Sequence, residues 1–334
     1  MSLAAAFRLF SQGRDHAAPA PSRLRAWWQG QASQSLPPAG VSVESTELAE
    51  GTEETHCPDL ECASSAEGAP DPWSQERLAL LAELWGPGFT SPGGEEFAIE
   101  LIKPLAPTSA MSLLNLDAHL GGSARTIANV YQMWVNAFEA DESLARIGME
   151  MSEREGMVKR APVEFCNREA LGERLTEDRR QYDCVFSKEG FYRVENKDAL
   201  FEAIYKHMKQ NGQFLFTDYV LPEGGEASPK AVAGLASEKG APHLWTVKQT
   251  LKSIDRFEFE VHISEDMTDR YRGMIVRAWA NYLGHLKRHP QLTPAMGEAL
   301  LREVEIWVRR VLAFDRGGLR VHRIHVVKRA SGAF

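Results

Sequence analysis

Basic residues are missing from one long stretch of this chain: after Arg25 neither lysine nor arginine occurs until Arg77. The same stretch gathers acids, as in "VESTELAEGTEETHCPDLE", between runs of Ser, Pro, Gly and Ala. Such a composition cannot bury enough apolar surface to offset its chain entropy. Residues 1–72 are therefore expected to be an acidic, largely disordered N-terminal segment, set apart from a folded domain over 73–330. Trp27 and Trp28 in "RLRAWWQG" are its candidate docking point, on the folded body or on a protein partner.

Cysteine is scarce too. The four residues, Cys57, Cys62, Cys166 and Cys184, form no metal signature, because "CPDLEC" has no second pair or histidine couple to complete a site. Cys166 and Cys184 fall in apolar stretches and read as buried small hydrophobes. A reducing, cytoplasmic setting suits all four. No apolar run approaches the ~18 residues of a membrane span. The start, "MSLAAAFRLFSQGR", is basic, which raises a transit peptide, but it lacks the apolar core and cleavage site of a secretory signal. A plain cytoplasmic N-terminus is expected. The formal charge of −8 argues against general nucleic-acid binding, though not against a local basic patch. No internal repeat is visible, and no phosphate-cradling "GxxxxGK[ST]" occurs.

What is present becomes regular from Trp73. "WSQERLALLAELWG" and "EEFAIELIKPL" have helical spacing and flank a turn-rich "GPGFTSPGG". Strand-like "SLLNL", "WVNAFEA", "PVEFC", "YDCVFS" and "QFLFTDYV" then alternate with helical segments. That β-α-β-α order predicts an α/β fold, a mostly parallel sheet with helices on both faces. The glycine of "KQNGQ" is expected to stop the helix that begins at "KDALFEAIYKHMKQ". Beyond Pro222 follow a strand "FEFEVHIS", a pair of long amphipathic helices and a closing antiparallel strand in "GGLRVHRIHVVKRA".

One junction carries chemistry. In "LLNLDAHLGGSART" a strand runs through two glycines into a helix, which can place helix N-terminal amides against a nucleotide or a carboxylate. Glu139, ending the next strand, lies 24 positions beyond Asn115, a spacing at which a carboxylate can accept from ribose hydroxyls. Glycine pairs also serve ordinary helix–strand packing, so this signal is weak by itself. Blander roles suit other residues. His207 complements a helix end, His322 and His325 are not at one strand-face spacing, and Trp279, Tyr282 and Trp307 read as core. No Ser/His/Asp triad is recognisable by spacing.

From "WGPGFTSPGG" to "FTDYVLPE" the chain resembles class I S-adenosylmethionine-dependent methyltransferases, most of all the phosphoethanolamine and small-amine N-methyltransferase group. The group's "GxGFxSxGG" stands as Gly86, Gly88, Phe89, Ser91, Gly93 and Gly94, and its "GGSAR" as Gly121 to Arg125. Its "fDviyS" reads "YDCVFS", and its "LKPGGxLlitDY" reads "MKQNGQFLFTDY". The match is firm up to 222 and looser to 330. The resemblance implies a Rossmann-like fold, S-adenosylmethionine as cofactor and methyl transfer to a small molecule. On the cofactor side it implies Phe89, Ser91, Asn115, Asp117, His119, Gly121, Gly122, Glu139, Ala140 and Ser187, with Glu139 on the ribose and Ala140 beside the adenine. The substrate-side candidates are Tyr192, Arg193, Tyr219 and Asp266. Such a transfer needs mainly positioning and exclusion of water, so few acid–base residues are expected.

The departures matter as much. The group's "LDxGxGxGG" reads "LNLDAHLGG", so Asn115 replaces the acid, Asp117 the first glycine and His119 the second. Its "HIxDK" reads "RVENK", with Arg193 for the histidine and Asn196 for the aspartate. A carboxylate at 117 facing a ligand carboxylate would repel it, whereas a protonated His119 could pair with it. Sequence does not give the direction of either side chain. Two functions follow from the resemblance: a small-molecule N- or O-methyltransferase, or a catalytically inactive relative serving as a binding scaffold. Asp117 or His119 filling the cleft would favour the second.

Overall fold

The structure, a computed structural model, describes residues 72–225, 235, 241–288 and 292–329. The acidic segment before Pro72, with Trp27, Trp28, Cys57 and Cys62, lies outside the described residues.

The first helix, α1 (Gln75–Trp85), starts where the Ser74 side chain accepts from the backbone of Arg77, and it ends at Gly86, with φ 98°. The next, α2 (Gly94–Ile102), continues into a 3₁₀ turn, Lys103–Leu105. The alternating part then follows in chain order: β1 (Ser112–Leu116), α3 (Gly122–Tyr131), β2 (Trp134–Glu139), α4 (Glu142–Arg154), β3 (Val163–Phe165), α5 (Leu171–Asp178) and β4 (Tyr182–Lys188). After a 3₁₀ turn at Phe191–Arg193 come α6 (Lys197–His207), β5 (Met208–Val220), α7 (Val247–Asp255), β6 (Phe259–Asp266), α8 (Thr268–Arg288), α9 (Pro294–Asp315) and β7 (Arg320–Lys328).

Seven strands form one sheet in the order β3-β2-β1-β4-β5-β7-β6. Neighbours from β3 to β5 pair in parallel, and β7 runs antiparallel to both β5 and β6. Both faces are covered, as alternating strand positions require when each side is apolar. Leu113, Cys184, Phe186 and Leu215 join α1, α2, α3, α8 and α9 in one core. Leu114, Val185, Phe214 and Phe216 join α5, α6 and α7 in the other. This is the expected α/β architecture, and Trp279, Tyr282 and Trp307 are buried as expected.

One boundary differs. The helix expected to run to the glycine of "KQNGQ" ends at His207, and β5 begins at Met208. Met208 is fully buried and pairs with Tyr182, after which the register shifts to Cys184↔Gln213, with Asn211 at φ 60°. Burying Met208 in the sheet outweighs another helical turn, and the glycine sits in an irregular strand start instead of a helix cap.

No described helix is long and apolar enough to cross a membrane.

Candidate functional site

In this strand order the connections leave β1 and β4 in opposite directions, so a crevice opens at their carboxyl ends, the usual ligand position in an open α/β sheet. Leu116 is in register with Ser187 there. The turn from β1 to α3 forms its floor. Asp117 and His119 both have φ 52°, the left-handed region that glycine enters freely and that Asp and His tolerate better than most residues. The two replaced glycines thus keep a glycine-like backbone and add side chains to it.

The Asp117 side chain points across the crevice. Its Oδ1 accepts from Arg168 Nε at 2.9 Å and from Nη2 at 2.6 Å, and its Oδ2 accepts from Ser187 Oγ at 3.0 Å. A Cβ placed on Gly190 would lie 1.8 Å from the Asp117 carboxyl carbon, so the carboxylate rests on the backbone of the loop after β4. Residues from three strand ends meet at this one side chain. The adjoining cavity, lined by Leu116, Asp117, Ala140, Arg168 and Phe191 among others, has a volume of about 20 Å³.

Glu139 ends β2 buried, with Oε2 accepting from the His119 backbone N–H at 2.7 Å and Oε1 from that of Asp141 at 2.8 Å. Asp141 in turn caps α4 by accepting from Ser143 and Leu144. Burial drives the imidazole of His119 below its ordinary pKa, opposed by the nearby Glu139 carboxylate. Burial thus works against the cation that could have met a ligand carboxylate. Its Nε2 is buried and has no hydrogen-bond partner among the described residues.

His119 also faces a second cavity of about 30 Å³, with Ser91, Glu189, Tyr192, Arg193 and Tyr219 on its wall. Tyr192 is fixed by its backbone N–H, which donates to Asp218 Oδ1 at 3.0 Å, and its hydroxyl accepts from Arg193 Nε at 2.8 Å. Burial pushes the Asp218 carboxyl up, partly offset by the Lys197 charge. The loop "GPGFTSPGG" is clamped over these residues. Lys188 Nζ donates to Ser91 Oγ at 2.9 Å and to Pro92 O at 2.7 Å, and Gly122 N donates to Gly88 O at 3.0 Å. Gly121, at φ 76°, leaves no room for a side chain, since a Cβ there would lie 2.5 Å from Val163.

The structure therefore brings together Asp117, His119, Glu139, Ala140, Ser187 and Ser91, with Tyr192, Arg193 and Tyr219 around the second cavity. Three candidates stand elsewhere. Asn115 is buried in the strand, its Nδ2 donating to Leu116 O at 3.0 Å. Phe89 packs over Gly122 and faces a groove between α1 and α4. Asp266 caps α8 through Thr268 and pairs with Arg320 at 2.8 Å, at the far edge of the sheet. Arg168 was not anticipated, since nothing in "NREA" marks an arginine that reaches past β2 to the end of β1. Lys188 and Glu189 were also missed.

For S-adenosylmethionine, the group implied by the resemblance, Glu139 is held at the end of β2 and Ala140 lines the first cavity, whose other wall is Asp117 and Arg168. Cofactor-sized pockets enclose about 300–1,000 Å³, and the two cavities here hold about 20 and 30 Å³. In the form described, the Asp117–Arg168 pair closes this side of the crevice to the group.

No protein-family model matches the chain. Phosphoethanolamine N-methyltransferase 2 of Caenorhabditis elegans is 24% identical over 229 residues, covering 61% of this chain and 51% of that enzyme. The chain thus spans about half the length of that relative. The sarcosine/dimethylglycine N-methyltransferase of Halorhodospira halochloris is 24% identical over 197 residues, 57% of this chain and 66% of its own length. Among solved structures, phosphoethanolamine N-methyltransferase 2 of Haemonchus contortus, in complex with S-adenosyl-L-methionine, superposes with a TM-score of 0.62 at 19% identity, over 76% of this chain and 57% of that one. A putative sarcosine dimethylglycine methyltransferase from Galdieria sulphuraria gives a TM-score of 0.60 at 11% identity, over 76% and 99%. The chain has the class I methyltransferase fold, and its sequence relatives are phosphoethanolamine and sarcosine N-methyltransferases.

Proposed function

We propose that the chain is an S-adenosylmethionine-dependent methyltransferase acting on a small molecule, with its cofactor crevice closed in the form described. One observation carries this reading: Glu139 ends β2, the strand next to β1, with its carboxylate held by the backbone N–H groups of His119 and Asp141. The relatives named above support the class of chemistry, and the cluster of Tyr192, Arg193 and Tyr219 supports a polar acceptor. Arg193 suits a phosphorylated amine, because guanidinium recognises phosphate well. Free, buried Cys166 and Cys184 accord with a cytoplasmic setting.

A second reading is favoured by the pairing of Asp117 with Arg168. In it the chain keeps the fold without the reaction, as a binding or regulatory body with residues 1–72 as its contact arm. Incubation with methyl-labelled S-adenosylmethionine and phosphoethanolamine or sarcosine separates the two. Label in the acceptor supports the enzyme. No transfer by the wild type, nor by variants in which the crevice has been opened, supports the scaffold.

A further inference from the structure

We infer that the Asp117–Arg168 pair is a built-in occupant of the crevice, and that a nucleoside-bearing ligand enters only by displacing it. The identity of that ligand rests on the methyltransferase reading. The occupancy rests on geometry alone.

Three features mark the pair as built. Asp117 is held in a left-handed backbone conformation that costs a non-glycine residue energy, and such strain persists only where surrounding structure enforces it. Its carboxylate is fully engaged, with two donor nitrogens of Arg168 on Oδ1 and the Ser187 hydroxyl on Oδ2. The side chain of Asp117 is 5% exposed and that of Arg168 22%, so water competes little for the pair.

The position is as telling as the chemistry. Asp117 follows β1, Ser187 belongs to β4, Gly190 follows β4 and Arg168 follows β3. Asp117 therefore bridges the two strands at which the connections diverge through Ser187, Arg168 closes on it from the β3 side, and the pair shares a cavity wall with Ala140. A base placed beside Ala140 would share its cavity with the Arg168 side chain and the Asp117 carboxylate. Gly190 is part of the same fit, because only a residue without a side chain leaves space for the carboxylate.

Calorimetric titration with S-adenosylhomocysteine tests the inference, comparing the wild type with Asp117→Gly/Arg168→Ala. The double variant removes both members, so no charge is left unpaired, and glycine suits the φ of 52°. The expected result is binding at least tenfold tighter in the variant, equivalent to about 1.4 kcal/mol. Asp117→Asn supplies a second test if the double variant does not melt cooperatively. Asparagine tolerates the same backbone and holds Arg168 more weakly, so it too should bind several-fold tighter than wild type. Equal affinity of wild type and variants overturns the occupancy and leaves the methyltransferase reading standing. Cooperatively melting variants that bind no better than a non-binding wild type overturn both.

Discussion

Lys188 reaches from the end of β4 into the loop above it, giving one hydrogen bond to Ser91 Oγ at 2.9 Å and another to Pro92 O at 2.7 Å. The lysine is buried, and burial lowers its pKa from the ordinary value, opposed by the neighbouring Glu189 carboxylate. Its cost is met by those two acceptors. Lys188→Met keeps the length of the side chain and strands both acceptors. A loss of about 1–3 kcal/mol is expected, read as a lower urea midpoint at unchanged slope.

Gly190 and Asp117 should be energetically coupled. Gly190→Ala in the wild type drives a methyl group into the carboxylate and should destabilise by about 1–3 kcal/mol. In an Asp117→Gly background the methyl group has room, and most of that loss should vanish. A double-mutant cycle by thermal or chemical denaturation measures the coupling. Simple additivity would place the carboxylate somewhere else.

Arg77 and Glu303 join α1 to α9 through a buried ion pair, Nε to Oε1 at 2.7 Å, with Trp307 Nε1 donating to Oε2 at 2.9 Å. Arg77→Met leaves Glu303 without its countercharge. Removing one member of a buried pair costs about 3–5 kcal/mol. Arg77→Met/Glu303→Leu should recover much of that, since neither charge then remains. Comparing the two midpoints decides whether the pair or the shape of this junction holds the helices together.

His325 gives the chain a pH dependence. Burial lowers its pKa from 6.5 to about 4, helped by His262 and Arg323 nearby, while its Nε2 lies 3.0 Å from Gln213 Oε1. The folded state therefore binds fewer protons than the unfolded state between these values, and stability rises with pH there. The contribution is complete above about pH 6.5 and is lost as pH falls towards 4, by roughly 3 kcal/mol in all. His325→Gln should flatten that part of the stability–pH curve. An equally steep curve in the variant would assign the slope to other groups.

Much of the fold was legible because local patterns and tertiary demands agree. "SLLNL" is β1 residue for residue, and the helical spacing around Leu81 and Trp85 gives α1. The boundary at Met208 was not legible, because a helix-compatible residue followed by Asn-Gly reads as a helix stop until Tyr182 offers it a partner across the sheet. The site was half legible. Glu139 could be read from its spacing beyond β1, and Ser187 only from the family resemblance. The effect of Asp117 depended on its direction, which is set by Arg168, a residue 51 positions away. Asp266 serves as a helix cap, a role that an acid before "MT" suits equally well and that Thr268 gives it.

Gly88 and Gly122 have a consequence of their own. The first amide of α3 is spent on the Gly88 carbonyl, so the helix has one fewer donor with which to greet an anion. A methyl group on Gly122 would sit 2.5 Å from that same carbonyl oxygen. The two glycines behave as a button and its hole: neither can thicken unless the flap from Gly86 to Gly94 is unfastened, and any drift at one position is barred while the other stays fastened.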